Sequence, residues 1–91
     1  MIKVIDYWAP WCGPCKVMAP TIEKLATQYA DNENVQIEKV NVDENMEEAR
    51  ASRVQSIPTL VFFKDGEEVN RLTGLKTEAV IKEAIEALLV N

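Results

Sequence analysis

Two cysteines stand at Cys12 and Cys15, and the chain has no histidine. Without imidazole there is no Cys-His or Ser-His nucleophile pair, no His-ligated metal and no near-neutral ring to shuttle protons. Thiols, carboxylates and amines remain. A thiol attacks only as thiolate, and the unpaired N–H groups and dipole of a helix N-terminus stabilise that form. Pro14 sits where a helix can begin, so Cys12 falls at a helix start and Cys15 one turn inside. Cys15 gains less from the terminus, yet it is close enough to attack a mixed disulfide on Cys12 and close a ring. Such a pair can cycle between dithiol and disulfide. Other readings compete for the same residues. A structural disulfide across so short a loop contributes roughly 2 kcal/mol in the chain-entropy model. A structural zinc site needs four Cys or His ligands, more than this chain supplies, although two thiols suffice for a two-coordinate soft metal. Two inert buried thiols are the third reading. The strand-helix-strand pattern around C-x-x-C favours redox chemistry.

That chemistry needs a strand to deliver the cysteines and a helix to begin on them. Ile2, Val4, Ile5 and Tyr7 predict a strand from Ile2 to Trp8. Met18, Ile22, Leu25, Ala26 and Tyr29 recur at helical spacing and predict a helix through Val17 to Tyr29, kinked at Pro20. After the polar breaker Asp31 to Asn34, the β-branched residues of Val35 to Val42 predict a second strand. Asn45 with Glu48 three residues on has the form of a capping box, opening a short helix from Met46 to Arg53. Ile57-Pro58-Thr59 leads into a third strand ending at Lys64, and Asp65-Gly66 turns it into a fourth, Glu67 to Thr73, stopped by Gly74. Behind a Thr77 N-cap, Val80, Ile81, Ala84, Ile85, Leu88 and Leu89 form the apolar stripe of a last helix, with Glu78 and Lys82 paired on its wet face. The order is β-α-β-α-β-β-α. Its first crossover predicts a parallel pair, and its hairpin an antiparallel one.

A length of 91 residues supports one domain, 1–91, and the chain shows no internal repeat or linker. Fifteen acidic against ten basic side chains leave a net charge of -5 and argue against nucleic acid or anionic membrane as partner. The apolar runs Thr59 to Phe63 and Ala87 to Val90 are far shorter than the roughly 18 to 20 residues of a membrane span. The opening MIKVIDYWAP has an acid at position 6 and no small-residue cleavage site, so no signal peptide is read there. A cytoplasmic monomer is expected.

The run Trp8-Ala9-Pro10-Trp11-Cys12-Gly13-Pro14-Cys15-Lys16 resembles the active-site signature of the thioredoxin family, W-A-x-W-C-G-P-C-K. The resemblance extends to Asp6, Pro20, the run Lys39 to Asp43, Ile57-Pro58-Thr59, the run Phe63 to Gly66, and Gly74. It implies an α/β fold of thioredoxin type, a four-stranded mixed sheet with helices on both faces. It also implies reduction of disulfides in other proteins, with thioredoxin reductase as electron donor and no cofactor beyond the Cys12–Cys15 disulfide. Carried over by position, Cys12 resembles the attacking thiol and Cys15 the resolving one. Asp6 resembles the buried carboxylate that manages the resolving thiol's proton, with Lys39 near it, and Pro58 resembles the cis-proline opposite the cysteines. Trp11, Gly13, Pro14, Ile57, Pro58, Gly74 and Leu75 match the substrate-docking surface. A typical member has a further strand and helix before the position of Ile2, so the strand at Val35 to Val42 is expected to be an edge here. That layout is closer to glutaredoxin, whose glutathione-recharged chemistry is the alternative enzyme, and a soft-metal or scaffold module is the alternative outside enzymes. The Gly13-Pro14 spacer is of the thioredoxin kind.

The remaining residues have plainer readings beside the functional ones. A carboxylate at Asp6 in a central strand is costly to bury unpaired, so it either serves the cysteines or pairs with Lys39 for structure alone. Trp8 continues the strand and is partly core, whereas Trp11 is expected to stay exposed as a flat apolar contact. Met18 and Met46 read as core gap-fillers, and Asp43, Glu44, Glu47 and Glu48 as a solvated acidic face. Glu38 and Asn41 are placed to discourage pairing along the free edge.

Overall fold

The computed structural model describes residues 1–90. Its elements are β1 (Ile2–Trp8), α1 (Gly13–Gln28), β2 (Val35–Asn41), α2 (Met46–Ala51), β3 (Thr59–Lys64), β4 (Glu67–Thr73) and α3 (Glu78–Leu89). One four-stranded sheet runs in the order β2-β1-β3-β4. β1 pairs with β2 in parallel and with β3 antiparallel, and β3 pairs antiparallel with β4. The expected element order and mixed sheet are therefore present, with β2 at an edge. Val42 lies just past β2, but its N–H still donates to Trp8 O at 2.9 Å.

Period-2 alternation along β1 sorts its side chains between two faces. Ile2 and Val4 join Met18, Ile22, Leu25, Ile81 and Ile85 in the core under α1 and α3. Ile5 and Tyr7 join Val40, Val61 and Ala49 under α2. Helices thus cover both faces, and Asp6, sharing the parity of Val4, is directed beneath α1. α1 runs unbroken through Pro20, with its buried stripe at Met18, Ile22 and Leu25. It is tied to α3 by Tyr29, whose hydroxyl donates to Glu86 at 2.5 Å. No helix among the described residues is long and apolar enough to cross a membrane.

Several local expectations are corrected. Glu78 does not spend its carboxylate on Lys82; it takes Lys24 of α1 at 3.2 Å and the Gln28 amide at 3.1 Å, because the helices meet there. Val80 is 45% exposed, since α3 turns only the Ile81 and Ile85 edge of its stripe fully inward. The Asn45 capping box is absent: its side chain makes no cap bond, and its amide donates back to Asn41 O at 3.1 Å. Met46 is 60% exposed, because the first turn of α2 faces away from the sheet and only Ala49 of the helix is buried. The Thr77 cap does form, its Oγ accepting from Val80 N–H at 3.3 Å.

α2 stops two residues earlier than expected because Arg53 adopts φ 57°, in the left-handed region, and Val54 N–H bonds back to Ala49 O at 3.0 Å. This is the helix-ending conformation that glycine adopts without penalty, whereas a residue with a Cβ is strained in it. Arg53→Gly is expected to raise stability by about 0.5 to 1 kcal/mol, read as a higher urea midpoint at unchanged slope. A lower midpoint would show that the Arg53 side chain holds α2 in place.

Candidate active site

Trp8 ends β1, and the chain reaches Cys12 in a turn closed by Cys12 N–H to Ala9 O at 3.2 Å. Cys12 is the N-cap of α1, with extended backbone (φ -86°, ψ 114°) and Pro14 in the first turn. Its sulfur occupies the place a Ser or Asp oxygen takes at such a cap, accepting the Cys15 N–H at 3.2 Å. The two sulfurs are joined in a disulfide with Cα atoms 5.2 Å apart. Both residues are buried, so exposure does not distinguish them. Their surroundings do. Cys12 Sγ lies 3.9 Å from Ile57 O on the segment entering β3, whereas Cys15 lines a small, partly enclosed cavity of about 70 Å³ with Asp6, Trp8, Lys16, Ala19 and Lys39.

Asp6 is 3% exposed and its Oδ1 has no hydrogen-bond partner. Burial penalises the charged carboxylate and pushes its pKa up to about 6, with the Lys39 ammonium pulling the other way. Lys39 itself is directly across the parallel pair from Asp6. Its Nζ sits 4.9 Å from the centroid of the Trp8 ring, over the aromatic face. Asp6, Lys39 and Cys15 thus meet around one small cavity.

The residues expected on a docking surface are mostly together. Trp11 is 67% exposed, Gly13, Pro14 and Leu75 are exposed, and Ile57 and Gly74 are half-buried. Pro58 is the exception: it is buried, follows a cis Ile57-Pro58 bond, and its carbonyl accepts the Gly74 N–H at 2.8 Å. Burial leaves Ile57 rather than the Pro58 ring as the accessible part of that turn. Beside the cysteines, Trp11 and Ile57 wall an open groove of about 400 Å³ whose remaining lining is Val42, Ala49, Val54, Gln55 and Ser56. Sequence reasoning missed this far wall, and also missed Asp43, which it placed on a solvated face. Asp43 Oδ2 accepts the Trp11 indole N–H at 2.8 Å and so fixes the ring. No local pattern marks a partner 32 residues away.

The Thioredoxin family model matches residues 1–87. The chain belongs to the thioredoxin family. It is 43% identical over 88 residues to the thioredoxin of Mycobacterium tuberculosis, covering 97% of this chain and 74% of that protein. Against the thioredoxin of Staphylococcus saprophyticus it is 45% identical over 85 residues, covering 93% and 80%. Among solved structures, a point mutant of the thioredoxin from Halobacterium salinarum superimposes with a TM-score of 0.85 at 39% identity, covering 96% of this chain and 74% of that one. Oxidised mitochondrial thioredoxin 3 of Saccharomyces cerevisiae gives 0.84 at 37% identity, covering 96% and 78%. The chain is thus a thiol-disulfide oxidoreductase of the thioredoxin type, a protein-disulfide reductase whose redox group is the Cys12–Cys15 disulfide. As a thioredoxin-family protein it acts on disulfide-containing substrates.

Proposed function

We propose that this protein reduces disulfides of other proteins in the cytoplasm as a monomer, with residues 1–91 as one domain, and that thioredoxin reductase restores its dithiol. Cys12 thiolate attacks one sulfur of the substrate disulfide, forming a mixed disulfide and expelling the other sulfur as a thiolate. Cys15, deprotonated by Asp6, attacks Cys12 Sγ, forms the Cys12–Cys15 disulfide and releases the second substrate sulfur as thiolate. Two electrons pass to the substrate, and the reductase returns two. Lys39 lowers the cost of the charged Asp6 carboxylate before it takes the proton. Trp11, Gly13, Pro14, Ile57, Gly74 and Leu75 make the docking surface, with Pro58 shaping the turn beneath it.

The asymmetry around the two sulfurs carries this reading. One sulfur accepts an N–H at a helix start beside an open groove; the other faces a small, partly enclosed cavity holding a protonatable carboxyl. The cytoplasmic assignment is supported by cysteine usage, since both cysteines belong to the pair and neither is left for a separate structural bridge. The free edge β2 supports the monomer: Glu38 takes Lys3 at 3.3 Å, placing charge along it.

An insulin-reduction turbidity assay tests the electron donor. With NADPH and thioredoxin reductase the protein is expected to precipitate the insulin B chain rapidly; with NADPH, glutathione and glutathione reductase it is expected to stay near background. The reverse order of rates would assign it a glutaredoxin-like donor.

A further inference from the structure

Away from the cysteines, one polar cluster is held too deliberately for a solvated surface. Arg71 of β4 extends its guanidinium to the end of α2, donating from Nη2 to Ser52 O at 2.8 Å and from Nη1 to Arg53 O at 3.2 Å. The same fork is gripped by Glu68, with Nε to Oε2 and Nη2 to Oε1 both at 2.9 Å. From beneath, the buried Tyr7 of β1 places its hydroxyl 2.9 Å from Ser52 Oγ and 3.5 Å from Glu48 Oε2. Two strands thus hold one end of a six-residue helix. A helix that short has little stability of its own, and Ala49 is its sole buried residue.

The segment leaving that helix end is the one that meets substrate in the reading above. Val54, Gln55, Ser56 and Ile57 form one wall of the groove, and Ile57 O lies 3.9 Å from Cys12 Sγ. They lie in no helix or strand. The downstream end of the segment is fixed where Thr59 Oγ1 donates to Ser56 O at 2.6 Å. Its upstream end has the Val54 N–H bond and the Ser52 and Arg53 carbonyls, and those carbonyls are what Arg71 holds. An arginine suits the task because one planar fork satisfies two carbonyls and a carboxylate at once, and its charge opposes the helix C-terminal dipole.

We propose that Arg71 and Tyr7 are positioning residues for protein-disulfide recognition: by anchoring the C-terminal end of α2 at Ser52 and Arg53, they hold the 54–57 wall of the groove in the shape a folded substrate needs. The proposal rests on the docking role given to that wall under the proposed function. Its consequence is selective. A small disulfide needs the Cys12 sulfur and little else, whereas a protein substrate needs the wall.

Single-turnover oxidation of the pre-reduced protein, followed by tryptophan fluorescence over a range of insulin concentrations, gives a half-saturating concentration and a limiting rate without any reductase. Arg71→Met is expected to raise the half-saturating concentration about three- to tenfold while the limiting rate changes by less than about twofold. The rate with 5,5′-dithiobis(2-nitrobenzoate) should likewise change by less than about twofold. Tyr7→Phe keeps the buried ring and removes only the hydroxyl, so it folds even if Arg71→Met does not, and it should show a rise of about two- to threefold. Unchanged half-saturation in the variants beside a saturating wild type overturns the anchoring role alone, and so does an equal loss on insulin and the small disulfide. A wild type that reacts with the small disulfide but never saturates with insulin overturns the docking role and the anchoring role together.

Discussion

Cys12→Ser is expected to reduce disulfide-reductase activity to background, whereas Cys15→Ser attacks once and then stalls as a mixed disulfide with its substrate. The asymmetry follows from placement. Cys12 caps α1 and receives the Cys15 N–H at 3.2 Å, so its thiolate is stabilised where it forms. Cys15 lines the small cavity it shares with Asp6, whose carboxylate is placed to take its proton. Non-reducing gels of Cys15→Ser with a disulfide substrate should show the trapped conjugate, and those of Cys12→Ser should not. In the reduced wild type, limiting alkylation at mildly acidic pH followed by mass spectrometry should label Cys12 first; preferential labelling of Cys15 would exchange the two roles.

The second large effect concerns Asp6. Its carboxyl has a pKa raised from 3.8 to about 6 by burial. Below pH about 4 both native and unfolded chains hold the proton, and the contribution to stability is fully present. Between about 4 and about 6 the unfolded chain sheds a proton that the native chain keeps, so stability falls as pH rises through that window, by roughly 3 kcal/mol for a shift of about two units. Asp6→Asn removes this dependence. Its advantage over the wild type should be absent near pH 4 and grow to as much as about 3 kcal/mol at pH 7, read by denaturant melts across the range. The same substitution removes the proton acceptor of Cys15, so release of reduced substrate should slow by about ten- to a hundredfold in single-turnover kinetics. Gain in stability with loss of rate marks a residue retained for chemistry. A destabilised Asp6→Asn with wild-type kinetics would make Asp6 a structural partner of Lys39 and nothing more.

Much of this could be read along the chain, because it depends on neighbours in sequence. Period 2 in Ile2 to Trp8 and period 3.6 in Met18, Ile22 and Leu25 are properties of one strand and one helix, and they suffice to put Cys12 at a helix start and Asp6 inside the strand that feeds it. The Asp65-Gly66 turn is equally local: both residues have positive φ, as a tight hairpin demands. The thioredoxin-like signature is likewise contiguous. Where the reading missed, the deciding partner came from elsewhere. Asn45 is the exception: it had Glu48 at capping-box spacing, but its amide turned back four residues to Asn41 O, a competing local bond. Glu78 had Lys82 one turn away, but α1 brought Lys24 closer.

The sequence by itself determined where the redox thiol pair stands and the order of elements around it, since the thiol pair, its helix and its feeding strand occupy consecutive positions. Only the tertiary structure decided how the site is walled and held. Trp11 is oriented by Asp43, Cys12 faces Ile57, and the groove wall is anchored through Ser52 by Tyr7 and Arg71 across separations of 32, 45, 45 and 19 residues. The reason is physical: spacing within an element is set by fixed rise and rotation per residue, whereas a contact between elements depends on how the whole chain closes its core and satisfies its buried polar groups.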